Sequence, residues 1–198
     1  MNIICIGDST TYGYMTARNK VWTEILNYKF SKDNIKFINK GINGDMISGM
    51  LVRFDTDCIS NNPDKVILMG GVNDIFTCKP LEKIKNNMIS IINKSAENNI
   101  DIIVFTPIPF IKNAFTFFEA SNMINEFEIN LIEYADFIKN YTKENNIKCI
   151  DVYNIFISNI LKQNNYYDIY FDGVHLNENG HNLFALEIYK ELINILYS

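Results

Sequence analysis

The chain has 198 residues, 47% of them apolar and 21% charged, which is ordinary globular usage and excludes disordered and collagen-like chains. The length favours one domain over residues 1–198, large enough to bury roughly 70% of its unfolded surface without disulfide or metal staples. Lys+Arg 18 against Asp+Glu 23 gives a net charge of −5; that balance lacks the basic footprint of nucleic-acid-binding and anionic-lipid-binding proteins.

The first apolar run, residues 3–6, follows Met1-Asn2 directly. No basic n-region or long apolar core precedes it, and no stretch reaches the ~18 apolar residues of a membrane span. A cytoplasmic location and no stable membrane insertion are expected. Similar runs recur at 35–38, 66–69, 102–106 and 149–152. Each is short, rich in β-branched residues and apolar at successive positions, as in strands buried on both faces of a parallel sheet. Helical periodicity falls between and after them, at about 19–31, 46–60, 80–98, 120–146 and 178–197. One stripe holds Ile84, Met88, Ile91 and Ile92; another holds Leu183, Phe184, Leu186, Ile188, Leu192 and Ile195. Five strand–helix alternations predict the α/β class, a doubly wound α/β/α domain with helices on both faces.

The segment after the fourth run breaks this rhythm. Pro107 and Pro109 end the strand, and Phe110, Phe115, Phe117 and Phe118 follow in a loop. These rings either pack on the core or form an apolar wall over a site. The four cysteines, Cys5, Cys58, Cys78 and Cys149, form no C-x-x-C pair, so reduced, mostly buried thiols are expected rather than a zinc or redox site. Asn, Ile and Lys abound while Arg occurs only at Arg18 and Arg53. This composition suggests AT-rich coding and makes any single Asn a weak signal.

Ligands of open α/β sheets bind beyond the carboxyl ends of the strands. Polar, glycine-containing turns follow three of the strands: Gly7-Asp8-Ser9-Thr10, Gly41-Ile42-Asn43-Gly44-Asp45 and Gly70-Gly71-Val72-Asn73-Asp74. A fourth, Asp172-Gly173-Val174-His175, precedes the last helix. Ser9 supplies a hydroxyl; His175 can take and return its proton near neutral pH. Asp172, three residues earlier, can hold the imidazole through its Nδ1–H. Oxyanion donors would be the backbone N–H of Ser9, the backbone N–H of Gly44 and the amide of Asn73. The second histidine, His181, falls inside the last helix and suits packing or capping. Asp8, Met46, Ile47, Phe110 and Phe115 are the expected substrate-binding residues, with Met46 and Ile47 along an acyl pocket.

These four blocks resemble those of the GDSL/SGNH hydrolases, a family of serine esterases and lipases. Gly7-Asp8-Ser9 matches the nucleophile block and Gly44 the glycine block. Gly71-Val72-Asn73-Asp74 matches the asparagine block, and Asp172-Gly173-Val174-His175-Leu176 the Asp-x-x-His block. Thr10 stands where the family name has Leu. The resemblance runs from residue 3 to about 185. It implies a three-layer α/β/α sandwich of flavodoxin-like type with a five-stranded parallel sheet, a Ser9–Asp172–His175 triad, an oxyanion hole of Ser9, Gly44 and Asn73, and no metal or organic cofactor. The G-x-S-x-G elbow of α/β-hydrolases is absent. The implied activity is hydrolysis of small carboxylic esters through an acyl-serine, with carbohydrate O-acetyl esters and acyl thioesters as alternatives on the same site. Tyr12 and Tyr14 keep a sugar ester open, while Trp22 reads as core. A reading of another class is a flavodoxin-like binding module, holding a phosphate on the hydroxyl-rich loop Ser9-Thr10-Thr11-Tyr12-Gly13. It leaves Asp172, His175 and Asn73 without a common role.

Overall fold

The computed structural model describes residues 1–112 and 123–197. Five strands, β1 (Asn2–Gly7), β2 (Lys36–Gly41), β3 (Lys65–Met69), β4 (Asp101–Phe105) and β5 (Lys148–Ile150), make one sheet. All neighbours run parallel in the order β2-β1-β3-β4-β5. The helices are α1 (Ser9–Tyr12), α2 (Trp22–Lys29), α3 (Ile47–Asp57), α4 (Val72–Phe76), α5 (Leu81–Glu97), α6 (Ile124–Glu144), α7 (Val152–Ile155), α8 (Leu161–Gln163) and α9 (Glu178–Leu196).

The unbroken apolar runs follow from burial on both faces. Ile3 and Cys5 of β1 point to one side, into a core with Trp22 and Leu26 of α2 and Phe184, Ile188 and Leu192 of α9. Ile4 and Ile6 point to the other, into a core with Met50 and Phe54 of α3, Ile84, Met88 and Ile91 of α5, and Leu131 and Ile138 of α6. Alternate side chains thus stabilise opposite layers, as the pleat requires. Trp22 is wholly buried, and its indole N–H donates to the Thr10 carbonyl at 3.2 Å, tying α2 to α1. Cys5 and Cys58 are buried, Cys149 is half-buried and Cys78 is exposed, all as free thiols. Among the described residues, no helix is long and apolar enough to cross a membrane.

The structure departs from the sequence reading at element ends. The run at 149–152 stops as a strand at Ile150, because the Asp151 side chain accepts from Asn154 N–H at 3.1 Å and caps α7. Helix α2 is shorter than the expected 19–31; single 3₁₀ turns, Arg18–Lys20 and Ser31–Asp33, stand at its ends. Helices α1 and α4 are one-turn elements too short for periodicity to register, whereas α7 and α8 are the ends of one helical stretch, joined by a π-helical segment at Phe156–Ile160, that the sequence reading did not expect. Two of them, α1 and α4, start directly after β1 and β3. The chain reverses its direction of strand addition between these two strands, and the crevice there is the expected ligand position in such a sheet.

Candidate active site

Ser9 opens α1. The Asp8 carboxylate caps this helix by accepting from Thr10 N–H at 2.9 Å. The Ser9 carbonyl accepts from Gly13 N–H at 2.9 Å and Tyr14 N–H at 3.1 Å, and Gly13, at φ +85°, ends the helix after one turn. Ser9 is fixed at the rim by backbone bonds. Asn73, in the first turn of α4, lines the same small cavity as Asp8, Ser9 and Thr10. The paired positions Gly7 and Met69 on β1 and β3 set this alignment.

Gly44 lies in the turn beyond β2, closed by Asp45 N–H donating to the Ile42 carbonyl at 3.2 Å. Its φ is +74°, and a Cβ there would meet nothing within 4 Å. Glycine is required by the backbone conformation rather than by crowding, and the position stays open to a ligand. The Asn73 amide donates to the Asp45 carbonyl at 2.9 Å, joining this turn to α4. An amide nitrogen carries two hydrogens, so one remains for another acceptor.

Asp172 and His175 share a tight reversal, closed by an antiparallel bridge between Tyr170 and Leu176 and by Phe171 N–H donating to the His175 carbonyl at 2.9 Å. Asp172 Oδ1 accepts from Val174 N–H at 2.9 Å and His175 N–H at 2.8 Å; Oδ2 faces His175 Nδ1 at 2.8 Å. Burial pushes the Asp172 carboxyl up, but these N–H groups and the imidazole outweigh it and hold the carboxyl below the usual carboxylate range. The reversal is anchored to the segment after β4: Ile111 N–H donates to the Gly173 carbonyl at 2.7 Å, and the Tyr170 hydroxyl to the Pro109 carbonyl at 2.7 Å. Val174 therefore lines the cavity beside Ser9 and Asn73. Tyr14 packs its ring on the His175 ring, centroids 4.5 Å apart.

Of the expected substrate-binding residues, Asp8 and Phe110 line this cavity, with Thr10, Val72, Ile108 and Pro109. Phe110 is braced edge-on by Phe76, centroids 5.3 Å apart. Ile47 is wholly buried in the core, because its place in the first turn of α3 turns the side chain inward. Met46 is half-buried at the start of α3. Neither is among the residues lining that cavity. Phe115, Phe117 and Phe118 lie outside the described residues. Two neighbours had no role in the sequence reading. Asp74, 2% exposed, accepts from Ile47 N–H at 2.9 Å and anchors α3. Arg53 reaches from α3 to the ends of β1 and β2. The rarity of arginine was the one available signal for it.

Two buried groups titrate in opposite senses. Burial, opposed by the Thr10 N–H and the charge of His175, raises the Asp8 carboxyl to about 6. His181 is buried as expected, 1% exposed, with its Nδ1 lacking a partner among the described residues; burial lowers its imidazole to about 4. Folded Asp8 holds its proton more tightly than the unfolded chain, so its contribution to stability grows as pH falls from about 6 to about 4. Folded His181 holds its proton less tightly, so its contribution is complete above about 6.5 and is lost as pH falls to about 4. Each amounts to about 3 kcal/mol at most, and the two nearly cancel. Asn at position 8 keeps the cap but not the titration. In Asp8→Asn, urea unfolding is therefore expected to show stability falling by about 2 kcal/mol more than wild type between pH 6.5 and 4.5. Parallel profiles would contradict these assignments.

Comparison with known proteins identifies the family and the fold. The family model described as GDSL-like Lipase/Acylhydrolase family matches residues 5–183. A curated relative, an acetylxylan esterase of Geobacillus stearothermophilus, is 24% identical over 161 residues, covering 80% of this chain and 72% of its own. A solved lipolytic protein of the G-D-S-L family from Veillonella parvula superposes with a TM-score of 0.79 at 25% identity, covering 96% of this chain and 97% of that one. The acetyl xylan esterase AlAXEase superposes with a TM-score of 0.75 at 25% identity, covering 96% and 99%. With its parallel α/β sheet and a family match over nearly its whole length, the chain belongs to the GDSL-like lipase/acylhydrolase family.

Proposed function

We propose that the protein is a serine hydrolase of small carboxylic esters. The observation that carries this reading is the 2.8 Å contact of His175 Nδ1 with an ionised Asp172, in a loop whose Val174 shares a cavity with Ser9 and Asn73. The Asp172 carboxylate fixes the Nδ1–H tautomer and leaves Nε2 to take a proton. Ser9 Oγ attacks the ester carbonyl as its proton passes to Nε2. The oxyanion is received by the Ser9 and Gly44 N–H groups and the second Asn73 hydrogen. Collapse expels the alcohol, which takes the proton from His175. Water, deprotonated by the same imidazole, then releases the carboxylic acid from the acyl-serine.

Val72, Ile108, Pro109, Phe110 and Val174 give the cavity an apolar side suited to an acyl group. The names of two similar proteins, both acetylxylan esterases, favour acetyl as that group and a carbohydrate alcohol as one leaving partner. The test is a panel of nitrophenyl esters from acetyl to long-chain, an acyl thioester and an acetylated oligosaccharide. Turnover concentrated on the acetyl members is expected. No turnover of any ester, or flavin bands in the visible spectrum of the purified protein, would overturn the reading.

Asn73→Ala is expected to lower kcat by about 10²–10³-fold, equivalent to about 2.7–4 kcal/mol of barrier, with a small change in KM. A loss confined to KM would show that the amide binds substrate rather than the developing charge.

A further inference from the structure

The three donors proposed for the oxyanion come from three strand ends, and one half-buried side chain bonds two of those ends directly and the third through Asp45. Arg53, its side chain 13% exposed, projects from α3. Its Nη2 donates to the carbonyl of Gly7, the last residue of β1, at 3.0 Å, and its Nη1 to the Lys40 carbonyl of β2 at 2.8 Å. Its Nε donates to Asp45 Oδ2 at 2.8 Å, and Nη1 also reaches Asp57 Oδ2 at 2.7 Å. Asp45 passes the constraint on. Its Oδ1 accepts from Met46 N–H at 3.0 Å, and its backbone carbonyl accepts the Asn73 amide at 2.9 Å. The helix also makes room for this carboxylate, since a Cβ on Gly49 would lie 2.1 Å from Asp45 Oδ1.

Among the described residues, nothing lies within 4 Å of where a Cβ of Gly44 would stand. Beyond its own closing bond and the Ile42 N–H donated to the Gly7 carbonyl at 3.0 Å, the turn is held through the next residue, Asp45, by Arg53 on one side and Asn73 on the other. The same guanidinium grips β1 two residues before Ser9. A shift of Arg53 or Asp45 therefore changes the spacing among Ser9 N–H, Gly44 N–H and the Asn73 amide.

We propose that the half-buried Arg53–Asp45 pair is a positioning device for the oxyanion donors, acting on the transition state and not on substrate binding. The inference rests on the roles proposed for Ser9, Gly44 and Asn73. Arginine suits the task because its planar fork serves acceptors on several sides at fixed angles, which the point charge of lysine does not. Misplacing a donor by a fraction of an ångström weakens it in the transition state most, because full charge appears on the oxygen only there.

The test compares kcat and KM of Arg53→Lys, Asp45→Asn and Asp57→Asn with wild type on one acetyl ester, alongside thermal unfolding. Asp57 is the control: it bonds the same guanidinium but has no bond to the Gly44 turn. Arg53→Lys and Asp45→Asn are expected to lose roughly 10–100-fold in kcat with KM within about threefold of wild type. Asp57→Asn is expected to keep kcat within about twofold despite lower thermal stability. Wild-type kcat in Asp45→Asn, losses carried by KM, or an equal loss in Asp57→Asn would overturn the proposal. If Arg53→Lys fails to fold, Asp45→Asn decides alone. Ser9→Ala separates this inference from its foundation. If that variant retains wild-type hydrolysis, the serine reading fails; if it is inactive while Asp45→Asn is fully active, only the positioning role fails.

Discussion

Ser9→Ala is expected to lower kcat for ester hydrolysis by about 10⁶-fold while leaving the fold in place. The size follows from what the hydroxyl does: without it no acyl-enzyme forms, and only direct attack by water on a bound ester remains. The fold is spared because α1 is held by groups that alanine keeps. The Asp8 carboxylate still caps Thr10 N–H, and the residue 9 carbonyl still accepts from Gly13 and Tyr14. Thermal unfolding should therefore stay within about 0.5 kcal/mol of wild type. A variant that retains more than a few per cent of the rate would mean that another group attacks the ester.

Asp172→Asn is expected to cost about 10⁴-fold in kcat. The asparagine Oδ1 can still accept from Val174 and His175 N–H groups, so the reversal between Tyr170 and Leu176 survives. Its NH₂, however, faces Nδ1 where Oδ2 stood. Nδ1 must then accept, the ring proton moves to Nε2, and the imidazole can no longer take the serine proton. Asp172→Ala should combine a similar rate loss with a loss of stability, since two half-buried backbone N–H groups lose their acceptor. An Asp172→Asn variant with unchanged kcat would show that this carboxylate serves the loop alone.

The strands and the layer order were legible because burial on both faces writes itself into consecutive apolar residues; residues 3–6 and 66–69 are wholly inside β1 and β3. Ser9, Asn73 and the Asp172–His175 pair were legible because each sits at, or within a few residues of, the end of a recognisable element. The wiring between strand ends was not. Arg53 lies twelve residues beyond the end of β2, and its partners Gly7 and Lys40 meet it only once the register of β1 against β2 is set. Ile47 looked like a pocket residue from its nearness to Gly44, but helical rotation at the start of α3 sends it into the core. Tyr14, which with Tyr12 keeps a sugar ester open, lies against His175, a contact that depends on how α1 ends. One-turn elements such as α1 and α4 carry too few residues for a period to show.

The central claim is that Ser9 is the attacking nucleophile. The most direct measurement is to react the intact protein with a fluorophosphonate and locate the adduct by mass spectrometry of its peptides. A single adduct on Ser9 is expected, forming with loss of ester hydrolysis and far more slowly in Asp172→Asn. An adduct on a different residue, or full esterase activity after Ser9 has been modified, would contradict it.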